Sequence, residues 1–549
     1  MEVLTLLALL GAAVAQYPAE DPTFDIFTER RYLTRKKYRP LYHITCPMGW
    51  LNDPAGFVKF RQQYHIFYQY HPYNGAWGHM NWGHAVSDNL VDWTYYPPAL
   101  VPKEYYEKHG CLAGSALVHN DYLTLFYTGN VVINNKTHQN QNVAISSDGI
   151  VFQKYLYNPI IKASPYGNDG EFRNPKVWRF RNSWYMLVGV MSRQQQGQLL
   201  LYSSPDMFHW KLNGTVAQSY GDMGYVWENP EFFEIDGQHV LIFCARGVQT
   251  DGYRFRNLYQ TGYLVGTFDY LSGQFDDEFE VSTATFNELD YGHDFYAPQT
   301  LLDDDGRRLL VGWLGMWESS FEESKEGWAS MLTLTRELKL SSRGHLLMTP
   351  VIEAMELRSE ILEDAWYSPG EAFYAGSKAF ELIVNSTAGA NDASIIFEWN
   401  GERRYVVEYS AKRGYVSVNR GGEDGMRRAD WAPPSDLVHW RIYVDFSSIE
   451  VFCGGGEVVF SSRIYPRRAI RVRIGGDTQL HVVQYRLRRS ISYDTRIRKN
   501  LPFPSVIQPH QVQDMGGLNR KKRFRNTRSH KTTRTDATTE KAPMSFSLV

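Results

Sequence analysis

Five segments of the chain begin alike: a short turn of polar or small residues, closed in four of them by proline, leads into a strand, a tight turn and a second strand. They are Asn52-Asp53-Pro54, Ala113-Gly114-Ser115, Asn174-Pro175, Glu228-Asn229-Pro230 and Ala297-Pro298. Their markers Pro54, Gly114, Pro175, Pro230 and Pro298 step by 60, 61, 55 and 68 residues. A second repeat, S-x-D-x-x-x-W/F, trails the first three, as SDNLVDW from 87, SSDGIVF from 146 and SSPDMFHW from 203. Four short strands with their turns need roughly 45–60 residues, so this period predicts the blades of a β-propeller, and five blades close a ring around a channel. The first residues of the innermost strands then meet at one mouth, which makes Asp53, Ala113, Asn174 and Glu228 expected neighbours. Proline by itself marks a strand start because it cannot donate to the ladder. That accounts for the prolines, but not for two acids and an amide at the same place.

At 549 residues the chain has room for two or three domains. The expected fold is all-β, with a five-bladed propeller over 38–355. Runs such as AFELIV, ASIIFEW, RRYVVEYS, WRIYVDF and IEVFC predict an antiparallel β-sandwich over 370–500. CGGGE at 453–457 reads as a hairpin turn rather than a phosphate loop, since no helix follows. Aromatics make up 15% of the chain, with 36 Tyr and 15 Trp; these suit strands and cores, and also offer flat faces to sugars.

Residues 1–15 hold the apolar run LTLLALLGAAVA ending Ala13-Val14-Ala15, a signal-peptide pattern that predicts a secreted, extracellular chain. The run is too short to span a bilayer, and no other stretch is apolar enough to do so. Sequons at Asn135, Asn213 and Asn385 agree with a secreted glycoprotein. The four cysteines, 46, 111, 244 and 453, leave up to two disulfides in any of three pairings. With no CxxC or HExxH, neither a metal nor a cofactor is expected. A net charge of −2 conceals a basic stretch at 520–534 with eight Lys or Arg and no acid. Residues 505–549 therefore read as a disordered tail: a processing site at Arg520-Lys521-Lys522-Arg523, a polyanion-binding segment, or a solvated end of no specific role. No nucleotide site or nucleic-acid fold is visible beside it.

The motifs are more specific than the composition. Trp50-Leu51-Asn52-Asp53-Pro54-Ala55-Gly56 resembles the W-M-N-D-P-N-G signature of glycoside hydrolase family 32, the invertases or β-fructofuranosidases. Tyr68 to Pro72, Trp82-Gly83-His84-Ala85, Phe172-Arg173-Asn174-Pro175, Trp227-Glu228-Asn229-Pro230, Asp294 to Gln299, Gly312 to Glu318 and Asp445 to Phe452 follow in family order, so the likeness covers roughly 38–500. It implies a propeller followed by a sandwich, and a retaining hydrolase of terminal β-fructofuranosides such as sucrose or short fructans. By the same resemblance Asp53 is the nucleophile and Glu228 the acid/base. Asn52, Gln69, Trp77 and Arg173 match sugar-binding positions. Retaining glycosidases pair two carboxyls in this way, and the acid/base needs a raised pKa, which apolar neighbours such as Trp227 and nearby anions would supply.

The departures from the family are as informative. Asn174 stands where the family has the aspartate that stabilises the transition state; the amide keeps an acceptor but loses the charge. That change is worth roughly 2–4 kcal/mol, on the order of 30- to 1,000-fold in rate, and removing an anion also draws the acid/base pKa downward. Ala55, Ala113, Asn229, Glu231 and His293 are further substitutions at motif positions. Two functions compete: a β-fructofuranosidase with reduced turnover, or a pseudoenzyme that binds a sugar or glycan without useful hydrolysis. Transfer of fructose to another sugar uses the same intermediate. Loops at 103–111 and 250–260 are the expected rim of the funnel.

Overall fold

In the computed structural model, which describes residues 36–275, 280–387 and 391–493, the chain is built almost entirely of strands and turns. The signal-peptide segment, the basic tail and its processing site lie outside the described residues. No helix among the described residues is long and apolar enough to cross a membrane.

Five sheets follow one another along the first part of the chain, each built on four strands that pair antiparallel in chain order. Their innermost strands are Gly49–Phe60, Cys111–His119, Phe172–Phe180, Val226–Ile235 and Tyr296–Leu302. Each of these packs on the next, and the fifth packs on the first, which closes the ring. The joint between the last blade and the first is hydrogen-bonded: Trp328–Ala329 runs parallel to Gly49 and Trp50, with bridges from Thr45 to Met331 and from Trp313 to Leu332.

Each inner strand is irregular at the same level. The pairing slips between Leu51 and Pro54, Leu112 and Gly114, Glu228 and Glu231, and Tyr296 and Gln299, and in the third blade opposite Leu187 and Gly189. A bulge turns a side chain out of the pleat and leaves one residue unpaired, so the proline there costs no ladder bond. Asn174, Asn229 and Ala297, each just before a proline, have φ of 65°, 50° and 49°. Asparagine tolerates this left-handed region best among residues with a side chain.

The bulges give a register that differs from the one expected. Counted back from each proline or glycine marker, the equivalent residues are Asp53, Ala113, Asn174, Asn229 and Ala297. Glu228 stands one position earlier, level with Asn52, Leu112, Arg173 and Tyr296. Glu228 and Asp53 therefore occupy adjacent rungs rather than the same one, because the prolines align and the acids do not.

The second repeat is a turn device between the third and fourth strands of a blade. Ser146 Oγ accepts from the Gly149 N–H (2.8 Å) while Asp148 Oδ1 accepts from Ile150 and Val151. Ser204 and Asp206 do the same for Met207, Phe208 and His209, and Asn89 fills the acid's place in the first blade. These side chains replace backbone partners at a bend whose left-handed residue is Leu90, Gly149 or Met207.

The sandwich stacks two six-stranded sheets over a core that includes Phe380, Leu382, Ile395, Phe397, Val407, Trp440 and Ile442. It begins at Arg358, ahead of the expected 370, because Arg358–Tyr367 pairs with Leu480–Leu487. The last described strand, Ile491–Tyr493, leaves the sandwich and pairs with Trp93–Tyr95 of the first blade, stitching the two domains together.

The seam between them is rich in buried ions. His43 bridges Asp445 (3.0 Å) and Glu450 (2.8 Å), and Arg336 bridges Glu450 and Asp290, both at 2.8 Å. All five side chains are inaccessible to solvent. Burial works against a charge on His43, but the two carboxylates outweigh it and raise its pKa to about 9. Nearby, Arg463 pairs with Glu323 at 2.6 Å.

Candidate active site

The mouth where the inner strands begin opens into a cavity of about 380 Å³. Asn52, Asp53, Gln69, Trp77, Arg173, Asn174 and Glu228 all line it. The chain thus brings all seven residues singled out in the sequence to one place, although they span some 176 positions between Asn52 and Glu228.

Asp53 is buried and held by three amides. Asn52 Nδ2 donates to Oδ1 at 3.1 Å, while Gln69 Nε2 and Asn229 Nδ2 donate to Oδ2 at 3.3 and 3.1 Å. Asn52 is itself fixed by the Trp50 indole N–H, 2.9 Å from its Oδ1. Glu228 is gripped differently: Arg173 Nε donates to Oε2 at 2.8 Å and the Tyr296 hydroxyl to Oε1 at 2.6 Å. Arg173 also pairs with Glu171 and donates to Gln139 Oε1 at 3.3 Å. Arg246 lies over the Tyr259 ring, 4.5 Å from its centroid, and donates to that hydroxyl at 2.9 Å. Trp77 is half-exposed at the rim.

Asn174 accepts from the Asn229 backbone N–H at 3.4 Å, and its own N–H donates to Thr128 Oγ1 at 3.0 Å. Through Asn229 the substituted position is therefore linked to Asp53.

The electrostatics of this cluster depart from expectation. Burial, reinforced by the neighbouring charge of Glu228, pushes the Asp53 carboxyl up to about 7, and the amides of Asn52 and Asn229 only partly offset this. Burial also raises the Glu228 carboxyl, but the charges of Arg173 and Arg246 and the Tyr296 hydrogen bond outweigh it, so its pKa lies below the usual glutamate value. The two carboxyls are thus biased in opposite directions, Asp53 upward and Glu228 downward. The raised pKa expected for Glu228 is absent for a geometric reason. Trp227, its chain neighbour, points to the opposite face of the strand, where it stacks on Phe243 at 4.1 Å and donates to Met223 O. The carboxylate faces two guanidinium groups instead.

Other expectations are also corrected. His293 is not part of the site; it is buried at the seam, 2.9 Å from Ser462 Oγ and 2.8 Å from Gly425 O. Glu231 lies deeper in the channel, paired with Lys176 at 2.7 Å. Of the two expected rim loops, Tyr259 contributes to the cavity, while 103–111 does not. The walls come from Asn130, Thr137, Gln139, Gly170 and Glu171 on one side and Trp317 and Glu318 on another. The four cysteines are all unpaired and buried.

Arg246, Tyr296 and Asn229 were not identified as site residues from the sequence. For Tyr296 and Asn229 a signal existed, since each shares a rung with a residue already identified; Arg246, on a second strand, had none.

Comparison with known proteins is consistent along the whole described chain. The Glycosyl hydrolases family 32 N-terminal domain matches residues 43–350, and the Glycosyl hydrolases family 32 C terminal matches residues 354–486. A sucrose-6-phosphate hydrolase of Escherichia coli is 38% identical over 443 residues, which covers 78% of this chain and 90% of that protein. The raffinose invertase of Escherichia coli is 36% identical over 438 residues, with the same coverage of 78% and 90%. Among solved structures, a GH32 beta-fructofuranosidase of Bombyx mori aligns with a TM-score of 0.78 at 39% identity, covering 85% of this chain and 97% of that one. A variant of the Bombyx enzyme has been solved in complex with sucrose. With both domains matched in order, the chain belongs to glycosyl hydrolase family 32.

Proposed function

We propose that this protein is a retaining β-fructofuranosidase that cleaves terminal fructose from sucrose or short fructans, at a turnover limited by Asn174. The observation that carries this reading is the convergence of two buried carboxylates, Asp53 and Glu228, on one cavity, each oriented by its own donors. Asp53 attacks the anomeric carbon of the fructosyl unit as Glu228 delivers a proton to the leaving oxygen, and a covalent fructosyl-enzyme forms. Glu228 then takes a proton from water, whose oxygen displaces Asp53. This cycle needs Asp53 ionised and Glu228 protonated, against the direction in which burial and the arginines bias the two carboxyls.

A neutral sugar suits the cavity better than a phosphorylated one. No lysine lines it among the described residues, Arg173 is already shared between Glu171 and Glu228, and Glu318 adds negative charge to the wall. The chain is also proposed to be secreted: the sequons at Asn135 and Asn213 are exposed, and the apolar segment at 1–15 supplies the export signal.

The second reading, a sugar-binding protein without useful hydrolysis, is favoured by Asn174 and by the opposite shifts of the two carboxyls. Fructose release from sucrose and from sucrose-6-phosphate, measured on the purified protein and on Asn174→Asp, separates the two. Release that strengthens in the variant supports the hydrolase. Sucrose binding with no release from either protein leaves the binding role. Faster release from the phosphorylated sugar overturns the substrate assignment.

A further inference from the structure

Asn229 occupies the fourth-blade position equivalent to Asp53 and Asn174 and touches both. Its side-chain N–H donates to Asp53 Oδ2 at 3.1 Å, and its backbone N–H donates to Asn174 Oδ1 at 3.4 Å. It is 2% exposed and sits at φ 50°, a conformation fixed by the bulge before Pro230. Such a side chain has little freedom to do anything but face Asp53.

We propose that Asn229 is a positioning residue for Asp53, which orients the nucleophile and favours its ionised form, and relays to it the state of position 174. The proposal rests on the reading of Asp53 as nucleophile. Asp53 Oδ1 has a partner from its own strand in Asn52, whereas among the described residues Oδ2 is met by Gln69 at 3.3 Å and Asn229 at 3.1 Å. Rotation of the carboxylate about its Cβ–Cγ bond is therefore opposed by Asn229 together with Asn52 and Gln69. The other groups whose charge reaches Asp53 do not replace it. Glu228 repels a second negative charge, Cys244 is a buried thiol raised by burial, and Arg173 and Arg246 are turned to Glu228. The amide donors, Asn229 among them, are what favour the ionised form of Asp53.

A hydrogen bond from an amide to a carboxylate is of the charge-assisted kind, and its loss moves a titration midpoint by roughly one to two pH units. Asn229→Ala is expected to raise the midpoint of Asp53 by that amount, and to lower kcat about 10- to 100-fold with little change in KM. Asn229→Gln, which keeps a donor, restores part of both. Asn229→Asp, which places a like charge against Asp53, raises the midpoint further.

The midpoint is read by carbon NMR of aspartate-labelled protein, with the Asp53 signal assigned by its loss in Asp53→Asn. This measurement does not require turnover. If the midpoint moves in Asn229→Ala but no variant releases fructose, the positioning role stands and the hydrolase reading fails. If fructose is released and Asn229→Ala leaves both midpoint and kcat unmoved, the positioning role is overturned. A fall in thermal stability with an unmoved midpoint also overturns it, since that is the mark of a merely structural amide.

Discussion

At the seam between propeller and sandwich, His43 and Arg336 each bridge two carboxylates; at the mouth of the channel, Asp53 is met by neutral amides and shares its cavity with Glu228. Both clusters are buried, yet they resolve the cost of burial in opposite ways. At the seam each anion has a cation within 3.0 Å. At the mouth the charges of the two arginines act on Glu228, and burial pushes the Asp53 carboxyl up to about 7. Charge that is paired specifies how two domains fit, whereas charge left short of a partner is available to react.

The contrast is most severely tested at Asp53. Asp53→Asn is expected to abolish fructose release, on the order of 10⁴-fold or more in kcat. The same change should stabilise the fold at pH 7 and above. A carboxyl whose folded pKa is raised destabilises the fold as pH climbs from its unfolded value near 3.8 through about 7. The gain in melting temperature should be roughly 2–6 °C at pH 8 and vanish near pH 4, as calorimetry at the two pH values would show. A variant that loses activity and stability together would erase the distinction between the clusters.

At the seam the opposite pattern is expected. Arg336→Met leaves Asp290 and Glu450 buried without their shared cation, which costs about 3–5 kcal/mol. Denaturant unfolding should show this loss, while kcat per folded molecule stays within about twofold, because no seam residue lines the cavity.

Asn174→Asp returns an anion to the mouth and should raise kcat by roughly 30- to 1,000-fold, or about 2–4 kcal/mol. The pH profile sharpens the point. Because the working state needs Asp53 ionised and Glu228 protonated, the alkaline limb of the unsubstituted protein reports Asp53 and falls near pH 7. The added charge raises both carboxyls, so the limb in Asn174→Asp should move upward. A limb that stays in place would mean that position 174 does not communicate with the pair.

The smallest effect belongs to His43. Its folded value of about 9 exceeds the ordinary 6.5, so its contribution is complete below pH 6.5 and disappears as pH rises through 9. Stability should decline across that window by about 3 kcal/mol at most, and His43→Gln should flatten the decline.

Much of this was legible in the residues themselves. The prolines at Pro54, Pro175, Pro230 and Pro298 mark one level of the ring, because a proline is tolerated where a bulge has already broken the ladder. The serine and acid of SSDG and SSPD could be read as a repeat but not as a turn, since their hydrogen bonds form only to their own backbone neighbours once the chain bends. Glu228 was identified as a site residue but set on the wrong rung, because the spacing of prolines carries no information about which neighbour faces the channel. Arg246 was invisible: it lies on a second strand, and only the pairing of Arg246 with Val226 and Tyr259 brings it beside Glu228.

The sequence by itself determined the family, the propeller and the seven residues of the mouth, since motif and period are properties of the chain. The opposite bias of the two carboxyls, Asp53 upward and Glu228 downward, was decided by tertiary structure alone. Trp227 faces away, Arg173 and Arg246 face in, and Asn229 reaches Asp53, all through bulge geometry and strand pairing. Electrostatic energy depends on distance and burial, and neither is written in the order of residues.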